Sequence, residues 1–227
     1  MTSAIKILTV PQSLTALAYE SIKRYILEGK LDENPRLTEE SLSRQLGISK
    51  SPVREALNSL QTEGLIRIEP RRGAYLRQFS VKEVQDLYDL RETLEVYAVG
   101  ATKITPQLII ELTKSVARTD RFLKSKDKVR HIEEDTIFHG AIANATENVE
   151  LSRVLQNIQN LIWLCRCKTY NLSSSSAPKA HRAILDALKE NDRKKAQTAM
   201  RNHISHVRKR LIEFLEQDQQ APSPPSQ

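Results

Sequence analysis

The stretch Leu37–Tyr75, LTEESLSRQLGISKSPVREALNSLQTEGLIRIEPRRGAY, decides how the chain folds. Thr38 is an N-cap residue type. Glu39 and Glu40 follow in the first turn, where carboxylates suit the helix dipole, and Leu42 with Leu46 gives the i, i+4 apolar pair of a short helix. Gly47 stops it. A second helix starts at Ser49 or Ser51, with Pro52 in the first turn, where its missing N–H costs nothing. Val53, Ala56, Leu57 and Leu60 form the stripe to be buried. Lys50, Arg54, Asn58 and Gln61 recur on one hydrophilic face, two cations and two amides that can bond base edges or phosphates. Gly64 closes this helix as its C′ residue. Leu65-Ile66-Arg67-Ile68 then alternates like a strand, and Pro70-Arg71-Arg72-Gly73 turns the chain back into Ala74-Tyr75-Leu76. Two short helices leading into a hairpin tipped by two arginines read as a winged helix-turn-helix.

Charge and composition extend this reading outward. Between residues 44 and 77 there are seven Lys or Arg against three Glu, a local charge of +4 out of +7 for the whole chain. A pI near 9.4 suits a polyanionic partner. Upstream, Leu14–Leu27 carries apolar residues at helical spacing and Gly29 ends it, giving a helix that supports the other two. Downstream, Ser80 with Glu83 is a capping box that opens a new helix, so the domain boundary falls near residue 79. A length of 227 residues accommodates two domains, and 39% hydrophobic with 28% charged residues is a globular composition. Residues 80–216 are helical in pattern, with breaks at Thr105-Pro106, residues 125–128, 144–148 and 173–178, and Asn191-Asp192. Five to seven helices imply an antiparallel α-bundle. The expected organisation is therefore mainly α: a winged helix-turn-helix in 1–79, an all-α bundle in 80–216, and a disordered Pro/Ser tail in 217–227.

The apolar run Ile5–Val10 is brief and broken by Lys6, and no stretch approaches a transmembrane span of about 20 apolar residues. A cytoplasmic protein without membrane contact is expected. Cys165 and Cys167 have neither C-x-x-C nor zinc-ligand spacing and read as reduced structural thiols.

All five histidines, at 131, 139, 181, 203 and 206, lie in the second domain. Asp135 and His139 are i, i+4 on one helix and share a face, a spacing suited to two ligands of one metal. His181 opens the next-to-last helix and His203 lies in the last. Carboxylate and imidazole together suit Zn²⁺, Ni²⁺, Mn²⁺ or Fe²⁺. Spacing alone leaves each histidine open to a hydrogen-bonded or surface role, leaves Asp135 free to pair with Lys128 or His131, and does not bring three helices together.

The run from Leu37 to Ile66, with the following R-R-G-A-Y-L, resembles the DNA-binding domain of GntR-superfamily bacterial transcription regulators. The resemblance places Ser49, Lys50, Ser51 and Arg54 on DNA, with Arg71, Arg72 and Gly73 in the wing. Lys50 stands where that family more usually has Arg and lacks the planar fork that reads guanine bidentately. L-R-E-T-L-E at 90–95, D-T-I-F-H-G-A-I-A-N-A-T-E-N at 135–148, H-R-A-I-L-D-A-L-K-E-N-D at 181–192 and A-M-R-N-H at 199–203 are similar to the FCD effector-binding domain of the same superfamily. That similarity implies a divalent metal, with zinc foremost, on Asp135, His139, His181 and His203, and a small carboxylate effector beside it. His131 and His206, one helical turn away, are the substitutes. It also makes Arg91 a second effector anchor, against the alternative of a salt bridge to Glu95.

The expectation that results is a metabolite-responsive transcription regulator, a repressor, that binds a pseudo-palindromic operator as a homodimer. The helix Val81–Thr102, with Val84, Leu87, Leu90, Leu94 and Tyr97, is the candidate dimer face, ordinary core packing being its alternative. Two rival readings are a metal-dependent enzyme using the Asp/His cluster and a regulator whose bundle only dimerises. Against an enzyme, the bundle offers no Glu general base at a motif spacing, and a DNA-binding head has no place in it.

Overall fold

The computed structural model describes residues 13–28 and 36–220. The chain divides between Arg77 and Gln78 into two compact units. The first holds α1 (Leu14–Leu27), α2 (Glu39–Leu46), α3 (Lys50–Thr62), β1 (Ile66–Glu69) and β2 (Gly73–Leu76). Local chemistry sets these limits. Thr38 accepts from the Ser41 amide at the start of α2, and Gly47 leaves it in the left-handed region at φ 66°. At the end of α3, Gly64 (φ 75°) donates to the Gln61 carbonyl and Leu65 to the Leu60 carbonyl, the paired bonds of a Schellman cap. Val53, Ala56, Leu57 and Leu60 are buried, as their spacing predicts, and α1 packs on α3.

The wing is a two-stranded antiparallel hairpin in which Ile66 pairs with Leu76 and Glu69 with Gly73. A further bridge, invisible in the residue pattern, ties Leu37 to Ala74 through two 2.8 Å backbone bonds. Gly73 is fixed by that bridge. Its φ is 104°, and a Cβ there would lie 3.0 Å from the Leu37 carbonyl oxygen. Strain and collision both exclude a side chain. Gly29, expected to end α1, and the tail segment 221–227 lie outside the described residues.

Among its described residues the second unit contains helices and no strand: α4 (Val81–Ala101), α5 (Pro106–Lys124), α6 (Lys128–Asn144), α7 (Val149–Ser173), a short 3₁₀ turn, α8 (Ala177–Lys189) and α9 (Arg193–Gln220). Each break follows from sequence. Ser80 and Glu83 form the capping box, Thr105 caps α5 with Pro106 in its first turn, and Asp127 and Asn148 cap α6 and α7. The last helix runs through Gln220, four residues beyond the end expected for the bundle, because Gln217 to Gln220 contains no Pro or Gly; the first such residue after it is Pro222. His181 does not open α8. That helix starts a turn earlier, at Ala177-Pro178.

Around the core, α4 packs on α9 and α7, α5 on α6 and α8, and α8 on α9. Leu112, Phe138, Ile184 and Leu188 have no exposed surface, each such side chain contributing about 1.5–3 kcal/mol on burial. Of the apolar residues on α4, Val84 is buried and Leu87 and Leu94 pack against this core, whereas Leu90 and Tyr97 remain 46% and 57% exposed. Cys165 is buried and not in a disulfide. No helix among the described residues is long and apolar enough to cross a membrane.

Candidate functional site

Each unit carries its own site. In the winged unit, Ser49 is the N-cap of α3 but makes no side-chain cap bond, so its hydroxyl remains available. Ser49, Lys50, Ser51, Arg54, Asn58 and Gln61 are all exposed. Arg54 is already engaged: its Nε and Nη2 donate to the two carboxylate oxygens of Glu39 at 2.8 and 2.7 Å. That bond holds the Glu39 carboxyl below the usual range. In the sequence Glu39 reads only as a helix-dipole residue, and nothing in its spacing to Arg54 signals a pair formed across two helices. In the wing, Arg71 sits at φ 64°, an uncommon conformation for a side chain of its size, and Arg72 lies 3.3 Å from Glu69. Both arginines are exposed at the tip.

In the bundle, Asp135 and His139 from α6, His181 from α8 and His203 from α9 meet. One ligand atom from each lies within 4.8 Å of the others, and all four residues are buried. His139 Nε2 and His203 Nε2 are 3.2 Å apart, and His181 Nε2 is 3.3 Å from Asp135 Oδ1. Phe138 stacks on the His181 ring at 4.1 Å and fixes its plane. The substitutes do not join them: His131 is buried elsewhere on α6, where burial pushes it down to about 4, and His206 lies exposed in an open groove between α8 and α9.

The donor set fits a divalent metal. His181 Nδ1 is buried without a hydrogen-bond partner, and His181 Nε2 and Asp135 Oδ1 have only each other, at 3.3 Å; a buried polar group left unsatisfied costs about 1–3 kcal/mol. Burial lowers His181, and burial with the neighbouring His181 and His139 lowers His203 well below the ordinary value, so both rings are neutral, the form that ligates. Burial alone would raise Asp135. The Arg166 guanidinium, with His181 and His139, outweighs it and keeps the carboxylate ionised.

A second layer of charge surrounds these four. Glu95 from α4 lies with Oε2 against His139 Nδ1, while Arg91 Nε donates to its Oε1 at 2.6 Å. Despite burial, His139 and Arg91 hold Glu95 down to about 2. Arg91 therefore makes the salt bridge to Glu95, and its Nη2 also stands 3.9 Å from Asp135 Oδ2. Arg166 from α7 donates from Nη1 to that same oxygen. Motif and spacing do not single it out. The available signal is an arginine directly following the apolar run Leu161-Ile162-Trp163-Leu164-Cys165, where a helix buried on most sides has no room for a solvated charge.

Comparison with known proteins agrees with both units. Residues 14–76 match the family of bacterial regulatory proteins, gntR family, and residues 86–206 match the FCD domain. The chain is 25% identical over 204 residues to the uncharacterized HTH-type transcriptional regulator YdhC of Bacillus subtilis, covering 88% of this chain and 91% of that one. It is 25% identical over 203 residues to the HTH-type transcriptional repressor RspR of Escherichia coli, covering 86% and 88%. Among solved structures, E. coli McbR/YncC shares the fold with a TM-score of 0.78 at 21% identity, over 92% of this chain and all of the other. The chain belongs to the GntR family of bacterial regulatory proteins, in the branch with an FCD domain, and is a DNA-binding transcription regulator rather than an enzyme.

Proposed function

We propose that the protein is a repressor that binds a pseudo-palindromic operator as a homodimer and answers to a small organic acid at a divalent-metal site in its helical unit. The observation that carries this reading is the closure of four buried ligand atoms to within 4.8 Å beside two buried guanidinium groups. Asp135, His139, His181 and His203 hold the metal, and the neutral imidazoles with one carboxylate favour zinc among divalent ions of this class. Bound there, the metal supplies positive charge and coordination positions open to an anionic ligand. Glu95 orients His139 by accepting from its Nδ1–H, which leaves Nε2 free to ligate.

On the DNA side, Ser49, Lys50, Ser51 and Arg54 enter the major groove at the start of α3. Arg71 and Arg72 follow the wing onto the backbone, with Gly73 setting the turn. One winged helix buries too little for tight specific binding, so two act together; the exposed Leu90 and Tyr97 on α4 support pairing through that helix.

The test is metal analysis of the purified protein combined with operator binding in the presence of a panel of small acids. Replacing His139 and His203 with Ala together abolishes metal retention and the response to acid, while operator binding without acid persists. A double variant that still responds normally removes the metal from the mechanism.

A further inference from the structure

The outer face of the wing reaches beyond its hairpin. Side chains alternate across a strand, so the register that pairs Ile66 with Leu76 and Ile68 with Ala74 turns the buried Ile66 and Ala74 to the core and leaves Arg67, Glu69, Gly73 and Tyr75 on the opposite face. The bridge from Leu37 to Ala74 extends this alternation to a third stretch of chain: Leu37 is buried with Ala74, and the exposed Arg36, one residue earlier, falls on the outer face. Its side chain crosses the bare backbone of Gly73. A Cβ there would meet Arg36 Nε at 3.2 Å and Cγ at 3.3 Å, so the glycine leaves room for the arginine as well as for the bridge.

The arginines gathered at the hairpin and the bridge are not equally committed. Arg67 and Arg72 share the one carboxylate of Glu69, at 3.2 and 3.3 Å. Arg36 and Arg71 are exposed and make no ion pair among the described residues. The tip keeps Arg71 at a cost: after Pro70, and with the Arg72 N–H donating to the Glu69 carbonyl at 3.0 Å, Arg71 at φ 64° occupies the turn position that ordinarily takes glycine. Strain of this kind persists where the side chain is used. These four arginines against Glu69 leave the outer face and tip strongly positive, the complement of a DNA backbone that carries one negative charge per phosphate.

We propose that Arg36 is a DNA-contacting residue of this regulator, gripping a backbone phosphate beside those taken by the wing tip. The occupant of the outer face is the duplex backbone, because the face is continuous with the tip and matches that backbone in charge. Arg36 directly precedes the helix-turn-helix while lying against the wing, so its contact ties both to the same stretch of DNA. A phosphate contact carries no sequence information, and Arg36 therefore strengthens binding to operator and unrelated DNA alike. It differs in this from Arg54, which must first leave Glu39.

This inference rests on the placement of the wing on DNA given above, and the experiment separates the two. The full-length protein is titrated by fluorescence anisotropy against a mixed-sequence duplex over a series of KCl concentrations. Arg36→Ala lowers affinity about 5- to 10-fold at about 0.1 M salt and flattens the dependence of log affinity on log salt by about one counterion, the worth of one phosphate contact. Arg36→Lys keeps the charge and restores the slope. Arg36→Gln, which removes the charge and keeps a long side chain, repeats the alanine result at the parent's thermal midpoint and covers the case in which alanine loosens the wing. Lys114→Ala, which removes an exposed cation of α5 in the bundle, changes neither affinity nor slope, so that a contact is told apart from a change in net charge. A parental slope in Arg36→Ala and Arg36→Gln, or a loss in Lys114→Ala as large as theirs, overturns the inference while Arg71→Ala still flattens the slope. Parental slopes in Arg36→Ala and Arg71→Ala alike overturn the placement of the wing together with it.

Discussion

Both units contain arginines gripped by carboxylates, and the two settings make these pairs different objects. Glu39 and Arg54 join α2 to α3 with side chains 33% and 61% exposed, whereas Arg91, Glu95 and Asp135 are each 2% exposed and Arg166 9%. At the surface, water solvates both partners whether or not they pair, so the fold gains little and either group can be lent to another molecule. In the interior neither partner can be given up without leaving the other stranded. The winged unit thus keeps its charges for a partner; the bundle has built its fold around them.

The largest effect that this contrast predicts is on Asp135. In metal-free protein, Asp135→Asn leaves Arg91 and Arg166 without their shared acceptor, and urea unfolding of the bundle shows a loss of about 3–5 kcal/mol. A loss below about 1 kcal/mol, the range of exposed pairs, would erase the distinction between the two units.

Glu95 sharpens it. Glu95→Gln keeps the shape of the side chain but weakens its hold on His139, and chelator competition registers a drop in Zn²⁺ affinity of about 10- to 100-fold. Unchanged affinity would reduce Glu95 to a simple counter-ion of Arg91.

The contrast also explains what is legible in the sequence. The winged unit can be read almost to the residue because its signals are local: Thr38, Gly47, Pro52 and Gly64 punctuate helices through their own backbone chemistry, and the polar face of α3 repeats at helical period. Leu37 escapes, because a single bridge to Ala74 leaves no period to detect, and so does the pair of Glu39 with Arg54, which forms across two helices. In the bundle the helices are equally plain, since Ser80, Thr105, Asp127 and Asn148 are all caps. The four cluster residues come from a resemblance and from one i, i+4 pair; spacing does not bring His181 and His203, on α8 and α9, to α6. Arg166 is hidden for the opposite reason. A buried arginine follows no pattern, and it is visible only as a violation of the apolar run around it.

The smallest effect belongs to Glu39 in the exposed pair, and it tests whether Glu39 restrains Arg54 or aims it. Arg54→Ala lowers operator affinity by about 5- to 150-fold if the guanidinium reads a base edge. Glu39→Gln acts differently. Its pair with Arg54 contributes little to folding, so the thermal midpoint stays within about 2 °C of the parent. On DNA, Arg54 has to exchange a carboxylate for a phosphate or a base, and Glu39 places a negative charge beside an approaching polyanion. Its neutralisation raises affinity for operator and unrelated DNA alike by a few-fold and steepens the salt dependence by about one counterion. Fluorescence anisotropy at two salt concentrations separates these outcomes. If Glu39→Gln instead weakens operator binding about as much as Arg54→Ala while leaving unrelated DNA unaffected, the carboxylate is an aiming device, and the surface pair is held in its place as firmly as the buried ones.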